Sequence, residues 1–97
     1  MAAQLVWAES ALADLDALAA YIALDSAHYA AATVDRIVAC VEHLATFPLS
    51  GRVVPEYENP TIREVFWRHY RIVYHVEGEI VTVLAVVRGA RQIDLDR

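Results

Sequence analysis

Tyr70-Arg71-Ile72-Val73-Tyr74 alternates its side chains with a period of two and shows no helical repeat. It lies at the centre of Arg63 to Arg91, which reads as three consecutive β-strands: Arg63 to Trp67, Tyr70 to Val76 and Glu79 to Val87. Glu77-Gly78 marks a tight hairpin between the last two. Alternation puts Arg71, Val73 and His75 on one face of the central strand and Ile72, Tyr74 and Val76 on the other. The region also carries a ladder of arginines, at Arg63, Arg71, Arg88 and Arg91. The chain has no lysine, so every fixed positive charge is a planar guanidinium fork.

Upstream, Phe47-Pro48-Leu49-Ser50-Gly51 breaks the chain, and the periodicity before it is helical. Leu12, Leu15, Leu18, Ala19 and Ile22 recur at three- and four-residue spacing, which predicts a helix over Ala11 to Leu24 with Ser10 as its N-cap. Ala30, Val34, Ile37, Val38, Val41, Leu44 and Ala45 predict a second helix over Ala27 to Thr46. The short gap at Asp25-Ser26 makes the two an antiparallel hairpin. Gln4 to Ala8 reads as an N-terminal strand, and Pro55 and Pro60 give the segment before Arg63 an irregular or edge conformation. The expected fold is therefore α+β, with order βααβββ and the helical pair on one face of a three- to four-stranded, mainly antiparallel sheet. Ile72, Tyr74 and Val76 should meet the helices, and Arg71 should point to the open side. Arg63, Val65 and Trp67 share a face of their own strand, but their register against Arg71 is not written in the sequence.

Ninety-seven residues and 58% hydrophobic content predict one folded domain, with a short polar tail over 92–97 expected to be mobile. The net charge of −5 and pI of about 5.2 argue against a surface that docks broadly on nucleic acid. Residues 1–47 hold six acids against Arg36 alone, whereas residues 48–97 hold seven acids and seven arginines. The lone Cys40 excludes an intramolecular disulfide and reads as a small buried helix residue. The N-terminus has no basic region followed by an apolar run, and no apolar stretch reaches the roughly 18 residues of a membrane span, so a cytoplasmic chain is expected. Four histidines, at 28, 43, 69 and 75, show no ligand spacing on one helical face, so neither metal nor cofactor is expected.

The ordered features resemble the RelE/ParE superfamily of type II toxin–antitoxin toxins, on its ParE-like branch. They are Val6-Trp7, Ala11 and Asp14-Leu15, then Phe47-Pro48-Leu49-Ser50-Gly51-Arg52 and Val54-Pro55-Glu56, then Ile62-Arg63-Glu64-Val65, Tyr70-Arg71-Ile72-Val73-Tyr74 and Arg88-Gly89-Ala90-Arg91. The resemblance covers about residues 4–92 and implies the same βααβββ fold. It also implies one of two activities, ribosome-dependent cleavage of messenger RNA or inhibition of DNA gyrase. The proline-glycine segment and Ile62 to Val65 are closer to the ParE side. In that reading the chain is a plasmid-stabilisation-like toxin, neutralised by a ParD-like antitoxin in a heterotetramer built on an antitoxin dimer, and it need not touch DNA or membrane itself.

Chemistry separates the two activities. Metal-free RNA cleavage needs a general base, a general acid and cations for the phosphate. Arginine holds phosphate but shuttles no protons near neutral pH. Arg71 matches the family's phosphate-binding arginine by position, Arg88 or Arg91 matches a second, and His69 is the only substitute acid/base. For target or antitoxin binding the candidates are Arg63, Trp67, Arg71, Arg88 and Arg91, with bidentate contacts to an acidic antitoxin segment. The plainer reading makes these arginines sheet-face residues paired with acids such as Glu64.

Overall fold

The computed structural model describes residues 2–89 and 95. The elements run β1 (Gln4–Trp7), α1 (Glu9–Ala23), α2 (Ala27–Thr46), β2 (Arg52–Val53), β3 (Ile62–Trp67), β4 (Tyr70–Glu77) and β5 (Ile80–Arg88). One sheet holds all five strands in the order β1-β5-β4-β3-β2. Only β1 and β5 pair in parallel. This is the expected α+β arrangement with one strand added. Arg52–Val53 is too short to show an alternation in the sequence, yet it pairs with Glu64 and Arg63 at the sheet edge. The chain thus starts at one edge, crosses one face as a helical hairpin, and re-enters at the other edge.

The helical pair buries the face that strand alternation assigns to it. Ala11 and Leu15 of α1 and Ile37 and Val41 of α2 pack with Ile72, Val83 and Val86, and Leu44 packs with Tyr74 and Val81. Two local expectations shift. Helix α1 begins at Glu9 with Ala8 at its N-cap, without a side-chain cap. Ser10 lies inside the first turn, where its hydroxyl donates to the Leu84 carbonyl at 3.0 Å. Asp14, one turn on, accepts from the Val86 amide at 3.0 Å. The reason lies in β5. Val73 pairs with Ala85 but Tyr74 pairs with Val83, so Leu84 is an extra, bulged residue. Strand β1 stops opposite Val83, and beyond it α1 side chains take the backbone groups that a strand would have taken. Ser26 does cap α2, accepting from the Tyr29 amide at 3.0 Å.

The β4–β5 hairpin turns on Gly78-Glu79, with Gly78 at φ 59°. The β3–β4 hairpin turns on Arg68-His69, with Arg68 at φ 53°. That two-residue turn sets Phe66 opposite Arg71 and Val65 opposite Ile72. Arg63, Val65 and Trp67 therefore lie on the helical side, and Ile62, Glu64 and Phe66 on the far side with Arg71. Arg91 and the 92–97 tail lie outside the described residues, Leu95 excepted; its amide donates to the Tyr57 hydroxyl at 3.1 Å.

Candidate functional site

Arg71 lies on the face away from the helices, but it does not meet open solvent. The residue is 7% exposed. Its Nε donates to Glu64 Oε1 at 2.9 Å, and its two terminal nitrogens reach the Glu56 carboxylate at 3.1 and 3.2 Å. One of those nitrogens also pairs with Glu64. Glu64 is 1% exposed and takes a further ion pair from Arg52. The expectation of a solvent-facing Arg71 is thus overturned by the segment between β2 and β3. Val54 and Tyr57 of that segment pack on Val73 and Ala85, which brings Glu56 over the sheet. The segment is closed on itself, because the Tyr57 and Glu58 amides both donate to the Val54 carbonyl at 3.2 Å. Burial works against the Arg71 charge, but the bonds to Glu56 and Glu64 outweigh it and raise its pKa. The same Arg71 bond holds the Glu56 carboxyl below the ordinary carboxylate value.

Arg63 also serves the scaffold. It sits on the helical side of β3 and donates to the Pro60 and Gly51 carbonyls, each at 2.9 Å. Tyr74 completes this corner. Its hydroxyl donates to the Pro48 carbonyl at 2.7 Å and accepts from the Gly51 amide at 2.9 Å. A β-carbon on Gly51 would come within 2.5 Å of the Glu64 carbonyl and 2.6 Å of the Tyr74 hydroxyl, so only glycine fits there. Burial pushes the Tyr74 hydroxyl pKa up. The sequence signal at Phe47 to Gly51 thus marks a loop pinned to the sheet.

Trp67 is half-buried against the helical core and stacks on Tyr70 at 6.4 Å, with rings 8° from parallel. The Arg68 guanidinium lies 5.1 Å from its ring centre. The exposed aromatic on that strand is Phe66, on the other face, with Arg52 at 5.3 Å from its ring. His69 and Arg88 come together on the helical side, in a cleft beside the α1–α2 turn, away from the Arg71 guanidinium. Arg91 lies outside the described residues. Cys40 is partly buried, and burial raises its thiol pKa, which disfavours the nucleophilic thiolate. Among the described residues no group of three or more His, Cys, Asp or Glu is placed to hold a metal ion.

The sequence expectation therefore joined residues that the fold separates. Arg71, Arg63 and Arg88 form no common guanidinium face. Glu56 stands in the sequence only as part of the Val54-Pro55-Glu56 motif, and nothing in its spacing shows that it reaches Arg71. Glu64 was the acid that the plainer reading pointed to, and it does pair with Arg71 and Arg52.

Comparison with known proteins agrees with this architecture. The family model of the ParE toxin of the type II toxin–antitoxin system parDE matches residues 5–93. Among solved structures the chain is similar to the chromosomal ParDE toxin–antitoxin system from P. aeruginosa, at 28% identity over 90% of this chain and 96% of that one, with a TM-score of 0.74. It is also similar to the toxin–antitoxin complex RelBE2 from Mycobacterium tuberculosis, at 18% identity over 91% of this chain and 99% of that one, with a TM-score of 0.67; at this identity the likeness is one of fold alone. No match to a curated protein was found. With both helices and all the ordered motifs falling within the matched span, this chain belongs to the ParE toxin family of type II toxin–antitoxin systems.

Proposed function

We propose that the chain acts as one toxin domain over residues 1–97 that inhibits DNA gyrase in the cytoplasm and is neutralised by a cognate ParD-like antitoxin. The observation that carries this reading over RNA cleavage is the state of Arg71. A phosphate-binding arginine must offer a free fork to the phosphate oxygens. Here the fork is occupied by Glu56 and Glu64. His69, the proton carrier of the nuclease reading, lies on the helical side of the sheet, whereas Glu64 and Arg71 share the far side. Cation and acid/base would have to act together on one phosphodiester; Arg88 stands beside His69, but Arg71, the other cation of the nuclease reading, is on the opposite face with its fork filled. The arrangement favours a toxin that works by binding.

The antitoxin reading draws on the family and on the P. aeruginosa neighbour, which is a ParDE system. The complex would be a heterotetramer built on an antitoxin dimer. A short antitoxin segment would lie along the groove between helical hairpin and sheet.

Supercoiling by purified gyrase, titrated with this toxin, tests the target. Inhibition that is relieved by equimolar antitoxin is expected. Full supercoiling at high molar excess of folded toxin overturns the reading, as do new messenger-RNA 5′ ends after induction that are lost in Arg71→Ala. Light scattering on the co-purified complex tests the stoichiometry.

A further inference from the structure

The outer edge of β3 is covered over only part of its length. The Thr61 carbonyl takes the Val76 amide of β4, and the Ile62 carbonyl takes the Val54 amide on the other flank. Backbone groups along an antiparallel strand point to its two flanks in turn, so those of Ile62, Glu64 and Phe66 point outward. Strand β2 is two residues long and reaches no further than Arg52, opposite Glu64. The outward amide and carbonyl of Phe66 therefore have no strand beside them. An uncovered strand edge is a template for another chain.

A furrow of about 420 Å³ runs beside that edge. Arg36, Cys40 and His43, one row of α2, form one wall, and Val65, Phe66 and Trp67 form the other. Phe66 is 48% exposed. Phe47, at the end of α2, is 54% exposed and lies with its ring 5.0 Å from that of His43, so the apolar surface continues past the furrow. Three guanidinium groups flank the edge. Arg36 stands on the wall, Arg52 lies 5.3 Å from the Phe66 ring centre, and Arg68 lies 5.1 Å from that of Trp67. Among the described residues no aspartate or glutamate lines the furrow, and Glu64, which pairs with Arg52, is fully buried. In a chain of net charge −5 this is a local reversal of sign.

We propose that the open edge of β3 docks an extended, acidic segment of the toxin's target protein, which adds to the sheet as a short strand in line with β2. The inference rests on the reading that this toxin works by binding a protein. Phe66 supplies the backbone bonds, and these suit an extended chain rather than a helix. Alternate side chains of the added segment fall into the furrow and over the far face. Carboxylates among them meet Arg36 on the first side and Arg52 on the second, in the planar geometry that a guanidinium fork favours. The exposed Phe66 ring between these cations gives the patch an aromatic and arginine make-up, which is typical of residues that dominate binding energy. A second copy of this chain is a poor occupant, because two-fold pairing of the edge sets like arginines against each other. The antitoxin segment is assigned to the groove between hairpin and sheet, which leaves the outer edge to the target.

Arg36→Glu combined with Phe66→Ala tests the surface, since both side chains are exposed. Growth arrest on expression, gyrase affinity, antitoxin affinity and melting temperature are compared between parent and variant. The variant is expected to melt with the parent and keep its antitoxin affinity within about twofold, while growth arrest is lost and gyrase affinity falls about tenfold or more. Should the pair unfold the chain, Arg36→Glu alone on the helix surface carries the same test. A folded variant as toxic as the parent overturns the surface and leaves the gyrase reading intact. A parent that arrests growth without binding gyrase overturns the gyrase reading, and loss of arrest in the variant then still supports the edge. Loss of antitoxin affinity in the folded variant overturns the target as occupant, and a parent that arrests nothing overturns both. Strand addition is read separately, from amide shifts and hydrogen exchange of the toxin with a five-residue peptide of alternating glutamate and valine and with its lysine counterpart. Saturable shifts over 65–67 and slowed exchange at Phe66 are expected with the acidic peptide. No shift at Phe66 up to millimolar peptide overturns the strand geometry, and equal binding of the lysine peptide overturns the charge assignment.

Discussion

The two faces of the sheet are buried by opposite means. On the helical side, Ile37, Val41, Ile72 and Val83 interlock as an aliphatic core with no exposure beyond that of its neighbours. On the far side, among the described residues, Val54, Val73 and Ala85 make a small apolar cluster with Tyr57, Ile62 and Val87 packed against it, and beside it runs the Arg52–Glu64–Arg71–Glu56 chain of ion pairs. Helices supply a wide apolar stripe; a short loop such as 54–58 cannot. Charges drawn out of water under that loop have to be satisfied by each other. The lesson is that an arginine on the helix-free face of a sheet is not thereby a docking residue.

Urea denaturation can break this comparison at its most sensitive point. Glu64→Leu should cost about 3–5 kcal/mol, because it takes the fully buried carboxylate away from the buried Arg71 charge. The double variant Arg71→Met, Glu64→Leu should recover most of that loss, since an apolar pair of similar volume replaces the ion pair at little cost. A single variant as stable as the parent would mean that the far face is open in solution. Tyr74→Phe comes next. It strips the Pro48–Gly51 loop of two hydrogen bonds and should cost about 1–3 kcal/mol. It should also flatten the alkaline limb. The Tyr74 hydroxyl pKa is raised by burial, so its stabilisation is complete below about pH 10 and is lost as pH rises through the folded-state value. On the aliphatic side, Ile37→Val should cost about 1 kcal/mol with no change in pH dependence, which contrasts the two faces directly.

The smallest effect is expected at Glu56. Its side chain is 28% exposed, so solvent screens its pair with Arg71 and Glu56→Gln should cost less than about 1 kcal/mol at neutral pH. The hydrogen bond from Arg71 lowers its pKa in the folded state. Its contribution is therefore complete above about pH 4.3, the unfolded value, and is lost as pH falls through the folded-state value. Thermal melts from pH 6 downward should show Glu56→Gln converging on the parent in acid. A constant offset between them would show that the pair does not couple to protonation.

Period and punctuation carried most of the architecture. The three- and four-residue spacing of Leu12, Leu15 and Leu18, the break at Pro48 and the alternation around Ile72 are local properties of the chain, and each survives in the folded molecule. Alternation also sorted Ile72 and Tyr74 to the helical side correctly, because two successive side chains on a strand must point to opposite faces. Three things were decided only by tertiary structure. The Arg68-His69 turn fixed the register that sends Arg63 to one face and Arg71 to the other. The bulge at Leu84 made Ser10, expected as the N-cap, and Asp14 into partners of β5. The fold of residues 54–58 closed Glu56 over an Arg71 that already meets Glu64 of the neighbouring strand. Each of these joins side chains by the path of the backbone between them, and that path depends on packing from distant parts of the chain, which no local pattern records.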